Sequence, residues 1–165
     1  MYRLLIISSI LFFAQKSSIC QLSTNSWYKI QSRHSGKCLN VQNASSKEGV
    51  PIIQWSCTND DNNLWRLESA GMGSFYIISR KSQMCLNVQN DSRFRGASIV
   101  QWSLTEDDNS KWQLIQLLNG NYQIVSVSSG KCLNVNKASM LNGSAIIQWD
   151  VTNASNSQWQ FIKVR

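Results

Sequence analysis

Apolar and polar residues alternate along short stretches of this chain, and the same alternation returns three times. In the stretch 37–41, Leu39 and Val41 fall on one face and Cys38 and Asn40 on the other. That is the period of two that marks a β-strand. Similar runs cover 27–33, 51–55 and 64–68, which predicts four short strands. Ser35-Gly36 joins the first pair as a turn, and loops rich in Asn, Ser, Asp and Gly separate the others. No long segment shows the 3.6-residue spacing of an amphipathic helix, which removes the helical repeat architectures.

The block recurs at a fixed period of 47 residues without insertion or deletion. Cys38-Leu39-Asn40-Val41 returns as Cys85-Leu86-Asn87-Val88 and as Cys132-Leu133-Asn134-Val135. Gln54-Trp55, Gln101-Trp102 and Gln148-Trp149 keep the same register, as do Trp65, Trp112 and Trp159, and Tyr28, Phe75 and Tyr122. A fixed period means units too small to bury their own apolar faces. Three units of four strands are too few blades for a propeller, which needs ~4–8. They suit an all-β, three-fold closed barrel, a β-trefoil. Its core is expected from Ile30/Ile77/Ile124, Leu39/Leu86/Leu133, Val41/Val88/Val135, Ile52/Ile99/Ile146 and Trp65/Trp112/Trp159. Gly73 and Gly120 mark the junctions, giving repeats at about 27–73, 74–120 and 121–165 of one domain.

The beginning of the chain reads differently. Arg3 precedes an apolar run over 4–14, and Ser18-Ile19-Cys20 offers small residues for a signal peptidase. Residues 1–20 are therefore expected to be a signal peptide cut after Cys20, leaving 21–165 as a secreted, extracellular domain. The apolar run is eleven residues long, short of the ~20 that span a bilayer. The mature segment carries fourteen basic and nine acidic residues, scattered rather than gathered. A nucleic-acid footprint needs a concentrated basic face, so the charge reads as solvated surface with room for weak attraction to acidic glycans.

Cysteine usage separates the copies. Only the first carries a second cysteine, Cys57, where the others have Leu104 and Val151. One disulfide, Cys38–Cys57, is expected in an oxidising compartment, with Cys85 and Cys132 as buried thiols. A bridge between those two is the alternative. Asn43-Ala44-Ser45, Asn90-Asp91-Ser92, Asn142-Gly143-Ser144 and Asn153-Ala154-Ser155 are glycosylation sequons.

Cys-Leu-Asn-Val, Trp55-Ser56-Cys57 and Asn62-Asn63-Leu64-Trp65, repeated in register, resemble the ricin B-chain lectin family. The resemblance spans the whole mature segment and implies a β-trefoil lectin; the first-copy disulfide matches the family's habit. The family's terminal Gln-x-Trp is degraded here to Asn63-Leu64-Trp65, Ser110-Lys111-Trp112 and Ser157-Gln158-Trp159.

Sugar binding needs an aromatic platform with amides or carboxylates beside it. Each copy offers an asparagine on its second strand, expected to face outward, a tryptophan ending the third, and an asparagine in the following loop. These candidates are Asn40, Trp55 and Asn62; Asn87, Trp102 and Asn109; and Asn134, Trp149 and Asn156. The resemblance assigns the matching positions to an acidic residue, a stacking aromatic and an amide. Galactose-binding relatives usually carry aspartate where Asn40, Asn87 and Asn134 stand, which implies a re-specified or weakened sugar contact. Trp55 and its equivalents compete with a core role, and Asn62 and its equivalents with turn shaping. Alternation points Gln54, Gln101 and Gln148 inward as amides bonded to backbone.

Nothing points to catalysis. His34, the sole histidine, sits where the other copies have Lys81 and Ser128, and reads as a solvated surface residue. Asp60-Asp61 and Asp107-Asp108 give way to Ala154-Ser155 in the third copy and lack the ligand spacing of a calcium site. The expectation is a monomeric, cofactor-free and metal-free lectin for glycans of glycoproteins, glycolipids or polysaccharides, with neither a nucleic-acid partner nor a membrane span. The rival is a protein-binding trefoil, a protease inhibitor or cytokine-like ligand.

Overall fold

The computed structural model describes residues 22–164, so the expected signal peptide over 1–20 and its expected cut lie outside the described residues. The strands are β1 Trp27–Ser32, β2 Cys38–Val41, β3 Ile52–Trp55, β4 Trp65–Gly71, β5 Ser74–Ser79, β6 Cys85–Val88, β7 Ile99–Trp102, β8 Trp112–Gln116, β9 Tyr122–Ser126, β10 Cys132–Val135, β11 Ile146–Trp149 and β12 Trp159–Lys163. The expected boundaries agree to within a residue, except that β4 runs on through Gly71 into the hairpin with β5.

Six strands close a barrel. Within each copy the first and fourth strands pair, as β1–β4, β5–β8 and β9–β12. Between copies the fourth pairs with the next first, as β4–β5, β8–β9 and β12–β1. The β12–β1 pairing joins the two ends of the repeat and removes the free edges that an open sheet would expose. The remaining strands form the hairpins β2–β3, β6–β7 and β10–β11. Bridges Pro51↔Val100, Ile53↔Ala145 and Ser98↔Ile147 tie those hairpins to one another. The all-β, pseudo-three-fold trefoil read from the period is the fold of the molecule.

The repeated apolar positions build one core, in which Ile30, Leu39, Val41, Ile52, Trp65 and their equivalents are all fully buried. Each core tryptophan also satisfies its polar edge. The indole N–H of Trp65, Trp112 and Trp159 donates to the carbonyls of Leu39, Leu86 and Leu133 at 3.1, 2.9 and 3.0 Å. A buried indole needs such a partner, and these bonds pin each hairpin to its barrel strand.

One turn exposes a local inconsistency. Gly36 and Gly130 lie at φ +67° and +68°, where glycine carries no side-chain penalty, but the second copy places Gln83 there at φ +59°. Its side-chain amide donates to the Arg80 carbonyl at 2.9 Å.

Cys38 and Cys57 form the disulfide across 19 residues of sequence. Cys85 and Cys132 are free and buried, so the alternative bridge between them is not formed. Burial, the largest influence, raises both thiols above their ordinary pKa.

Candidate functional site

Strand pairing places Asn40 opposite Ile53 and Cys38 opposite Trp55 on the β2–β3 hairpin. The hairpin then runs beneath a short 3-10 turn, Asp61–Asn63, which carries Asn62 back over it. The same arrangement recurs with Asp108–Ser110 and Ser155–Ser157. The nine candidate residues therefore come together in three clusters, one per copy.

Within each cluster the residues divide sharply. Trp55, Trp102 and Trp149 keep 43, 40 and 38% of their surface exposed, whereas Trp65, Trp112 and Trp159 keep none. Asn40, Asn87 and Asn134 are buried, contrary to the outward placement expected from alternation. Period two correctly puts them on the face opposite Leu39 and Val41, but the 3-10 turn covers that face as well.

The buried asparagines also differ between copies. Asn87 donates its amide to the Ser110 hydroxyl at 2.8 Å and accepts from the Asn109 amide at 3.3 Å. Asn134 repeats this with Ser157 at 2.7 Å and Asn156 at 3.1 Å. Asn109 and Asn156 further donate to the Val88 and Val135 carbonyls, and Asn62 to that of Val41, so these amides brace their turns. In the first copy Asn63 stands where the serines would be. There the Asn40 side-chain amide has no hydrogen-bond partner among the described residues and lines a cavity of about 720 Å³ with Trp55, Asp60 and Asn62. The second cluster lines a smaller cavity of about 270 Å³ with Asn87, Trp102, Asp91 and Asp107.

Gln54, Gln101 and Gln148 are buried amides bonded to backbone, and the carbonyls they reach belong to another copy. Gln54 donates to Ser139 and Leu141 at 2.8 and 2.9 Å, Gln101 to Ser45 and Lys47 at 3.1 and 2.6 Å, and Gln148 to Ser92 and Phe94 at 2.7 and 2.8 Å. Each accepts from a serine of its own copy, Ser35, Ser82 or Ser129. The captured loop then turns behind the exposed tryptophan next to the glutamine. Its glycine, Gly143, Gly49 or Gly96, has positive φ, and a Cβ there would come 3.8, 3.6 or 3.9 Å from Cζ3 of Trp55, Trp102 or Trp149.

A third copy closes each rim. Lys81 lines the Trp55 cavity, and Ser128 donates to Asp91 beside the Trp102 cavity. His34 occupies the equivalent place at the third cluster. Its Nε2 lies 2.8 Å from the Ala138 carbonyl and its Nδ1 3.1 Å from the Ser155 hydroxyl. Since a carbonyl only accepts, Nε2 donates to Ala138, and Nδ1 pairs with the Ser155 hydroxyl. His34 is thus a half-buried bridge rather than the solvated residue expected. Glu48, Arg95 and Asn142, beside the loop glycines, complete the set and escaped the sequence reading. They occupy one repeat position but are three different residues, so periodicity gives them no signal.

Chemically each cluster presents a flat apolar face beside amides, and two of them add carboxylates. No group of three or more histidine, cysteine, aspartate or glutamate side chains suited to a metal ion occurs among the described residues. No helix among them is long and apolar enough to cross a membrane.

A family model described as ricin-type beta-trefoil lectin domain-like matches residues 14–102 and 108–165. Among curated proteins none matches the chain. Among solved structures, a designed three-fold symmetric protein, ThreeFoil, is 39% identical with a TM-score of 0.83, covering 84% of this chain and 99% of that one. An exo-beta-1,3-galactanase from Clostridium thermocellum is 28% identical with a TM-score of 0.83, covering 87% of this chain. This chain spans only 31% of that enzyme's length. A Macrolepiota procera ricin B-like lectin in complex with lactose is 16% identical with a TM-score of 0.76, covering 87% of this chain and 99% of that one, a likeness of fold.

Proposed function

This chain belongs to the ricin-type β-trefoil lectin domain-like family, and we propose that it is a secreted, non-catalytic carbohydrate-binding protein with up to three shallow sugar sites. The observation that carries this reading is the division among its tryptophans. A tryptophan brings 150–250 Å² of mostly apolar surface and is normally well buried. Of the six that recur with the repeat, three are, and the other three lie 38–43% exposed at the mouths of their clusters. A sugar's C–H face covers such a ring, while neighbouring amides and carboxylates take its hydroxyls.

The three sites have unequal polar equipment. In the first, the Asn40 amide is free to donate to one hydroxyl and accept from another. In the second and third, Asn87 and Asn134 already spend their amides on Ser110 and Ser157. Asparagine in place of aspartate removes the carboxylate that would accept two charge-assisted bonds from vicinal hydroxyls, so the preferred sugar differs from that of galactose-binding relatives. Three weak sites on one rigid body gain avidity on a dense glycan surface through effective concentration.

The test is a glycan array with the folded, disulfide-intact protein. Binding to at least one glycan class supports the reading. Folded protein that binds none refutes it and favours a protein-binding trefoil instead.

A further inference from the structure

The three clusters share a scaffold but not a charge. Around Trp55 stand Asp60, Asp61 and Lys81, with Asp61 paired to Arg80 at 3.2 Å. Around Trp102 stand Asp91, Asp107 and Asn109. Glu48 comes from the captured loop to accept from the Ser103 N–H at 3.2 Å. The third cluster has lost these acids. Ala154 and Ser155 replace Asp60-Asp61 and Asp107-Asp108.

Cations take their place. Arg95, at the repeat position of Glu48 and Asn142, lies 5.6 Å from the Trp149 ring centroid. Lys137 occupies the position at which Asn43 and Asn90 line the first two cavities, in the same turn at φ 53° against 55° and 56°. One acid is particular to this copy: Asp150, where the others have Ser56 and Ser103, pairs with Lys131 at 2.9 Å and with Arg95 at 3.5 Å. It neutralises one of the three cations.

Arg95 does not close the platform. Trp149 stays 38% exposed, close to the 43 and 40% of the uncovered Trp55 and Trp102, and the Arg95 side chain is itself 65% exposed. The guanidinium lies over the Trp149 ring and pairs with Asp150, yet it leaves part of the indole open and N–H groups free. Its planar fork matches the oxygens of a carboxylate or sulfate.

Resting on the carbohydrate reading above, we propose that the three sites are chemically distinct and that the Trp149 site takes a sugar bearing a carboxylate or sulfate group, with Arg95 and Lys137 as its specificity residues. The sugar ring stacks on Trp149, and its anionic substituent reaches Arg95 and Lys137. The acidic cluster at Trp102 repels the same substituent, and the Trp55 cluster, whose Asp60 and Asp61 are matched by Lys81 and Arg80, offers it no net attraction; both are left to neutral sugars.

The experiment uses the full mature chain on an array of matched immobilised sugars: glucose with glucuronate, galactose with galacturonate and galactose 6-sulfate. Trp55→Ala/Trp102→Ala leaves only the third site, and a further Arg95→Gln/Lys137→Asn pair removes its cations. Lys137→Asn installs the residue two other copies already tolerate there, and thermal unfolding confirms that each variant folds. The double tryptophan variant is expected to retain an acidic member at about fivefold or more over its neutral partner, falling with added salt. Removing the cations should erase that preference; the carboxylated and sulfated arms show which anion is taken. Equal binding of acidic and neutral partners, or a preference that survives cation removal, overturns the inference. So does loss of all binding in the double variant while the wild type binds. Absence of any binding by folded wild-type protein refutes the carbohydrate reading and this inference with it.

Discussion

Replacing Gln148 with leucine removes a side chain that holds two copies together. Gln148 is fully buried, donates to the Ser92 and Phe94 carbonyls at 2.7 and 2.8 Å and accepts from the Ser129 hydroxyl at 2.6 Å. Leucine has nearly the same volume, so the cost is polar rather than steric. Each lost bond costs about 1–1.5 kcal/mol when its partner is left without a replacement. Three such bonds give about 3–4.5 kcal/mol. Ser129→Ala breaks only one of them and should cost about 1 kcal/mol. The double variant should cost less than the two singles added, because both remove the same bond. Denaturant unfolding of the four proteins provides the cycle. The Gly96 loop rests on these bonds and backs Trp149, so Gln148→Leu should also change the near-ultraviolet circular dichroism of the folded protein. A loss below about 1 kcal/mol for Gln148→Leu, or one equal to that of Ser129→Ala, would refute this view of how the copies are locked.

Asn87→Ala breaks two bonds, to Ser110 and from Asn109, and should cost about 2 kcal/mol; Asn40→Ala should leave stability nearly unchanged while weakening glycan binding at the Trp55 site, a contrast readable by paired unfolding and binding curves. Gln83→Gly relieves a left-handed turn residue and should stabilise the chain by about 1 kcal/mol in thermal or denaturant unfolding. The Cys85 and Cys132 thiols, raised by burial, keep their protons in the folded protein at a pH where the unfolded chain gives them up. Their contribution is complete below the ordinary thiol pKa and is lost as pH rises through the folded values. Stability should therefore fall as pH climbs past the ordinary thiol range, and replacing both cysteines with alanine should flatten that slope.

The triplicated core was legible because burial constrains the same position three times: Ile30, Leu39 and Trp65 each announce themselves by recurrence. The inward glutamines followed from alternation alone. The partners they reach did not, since a period compares copies with one another and says nothing about which copies touch. Asn40 was placed on the wrong side of the surface because a strand has two faces and the sequence does not show that a short turn covers the second. Arg95 was missed as a site residue, and His34 read as solvated, for a related reason. They enter the third cluster from the second and first copies, at positions where the repeat has diverged, so divergence looked like neutrality when it was a difference between sites.

The glycan that binds best on the array should be titrated by calorimetry against the wild-type chain and against Trp55→Ala/Trp102→Ala/Trp149→Ala. More than half of each ring is buried against a captured loop, so the triple variant should unfold at a lower temperature, and binding is measured well below it, where circular dichroism shows the variant folded. Binding that disappears in a folded triple variant is the predicted result. Undiminished binding by that variant would contradict it and place the glycan elsewhere on the trefoil.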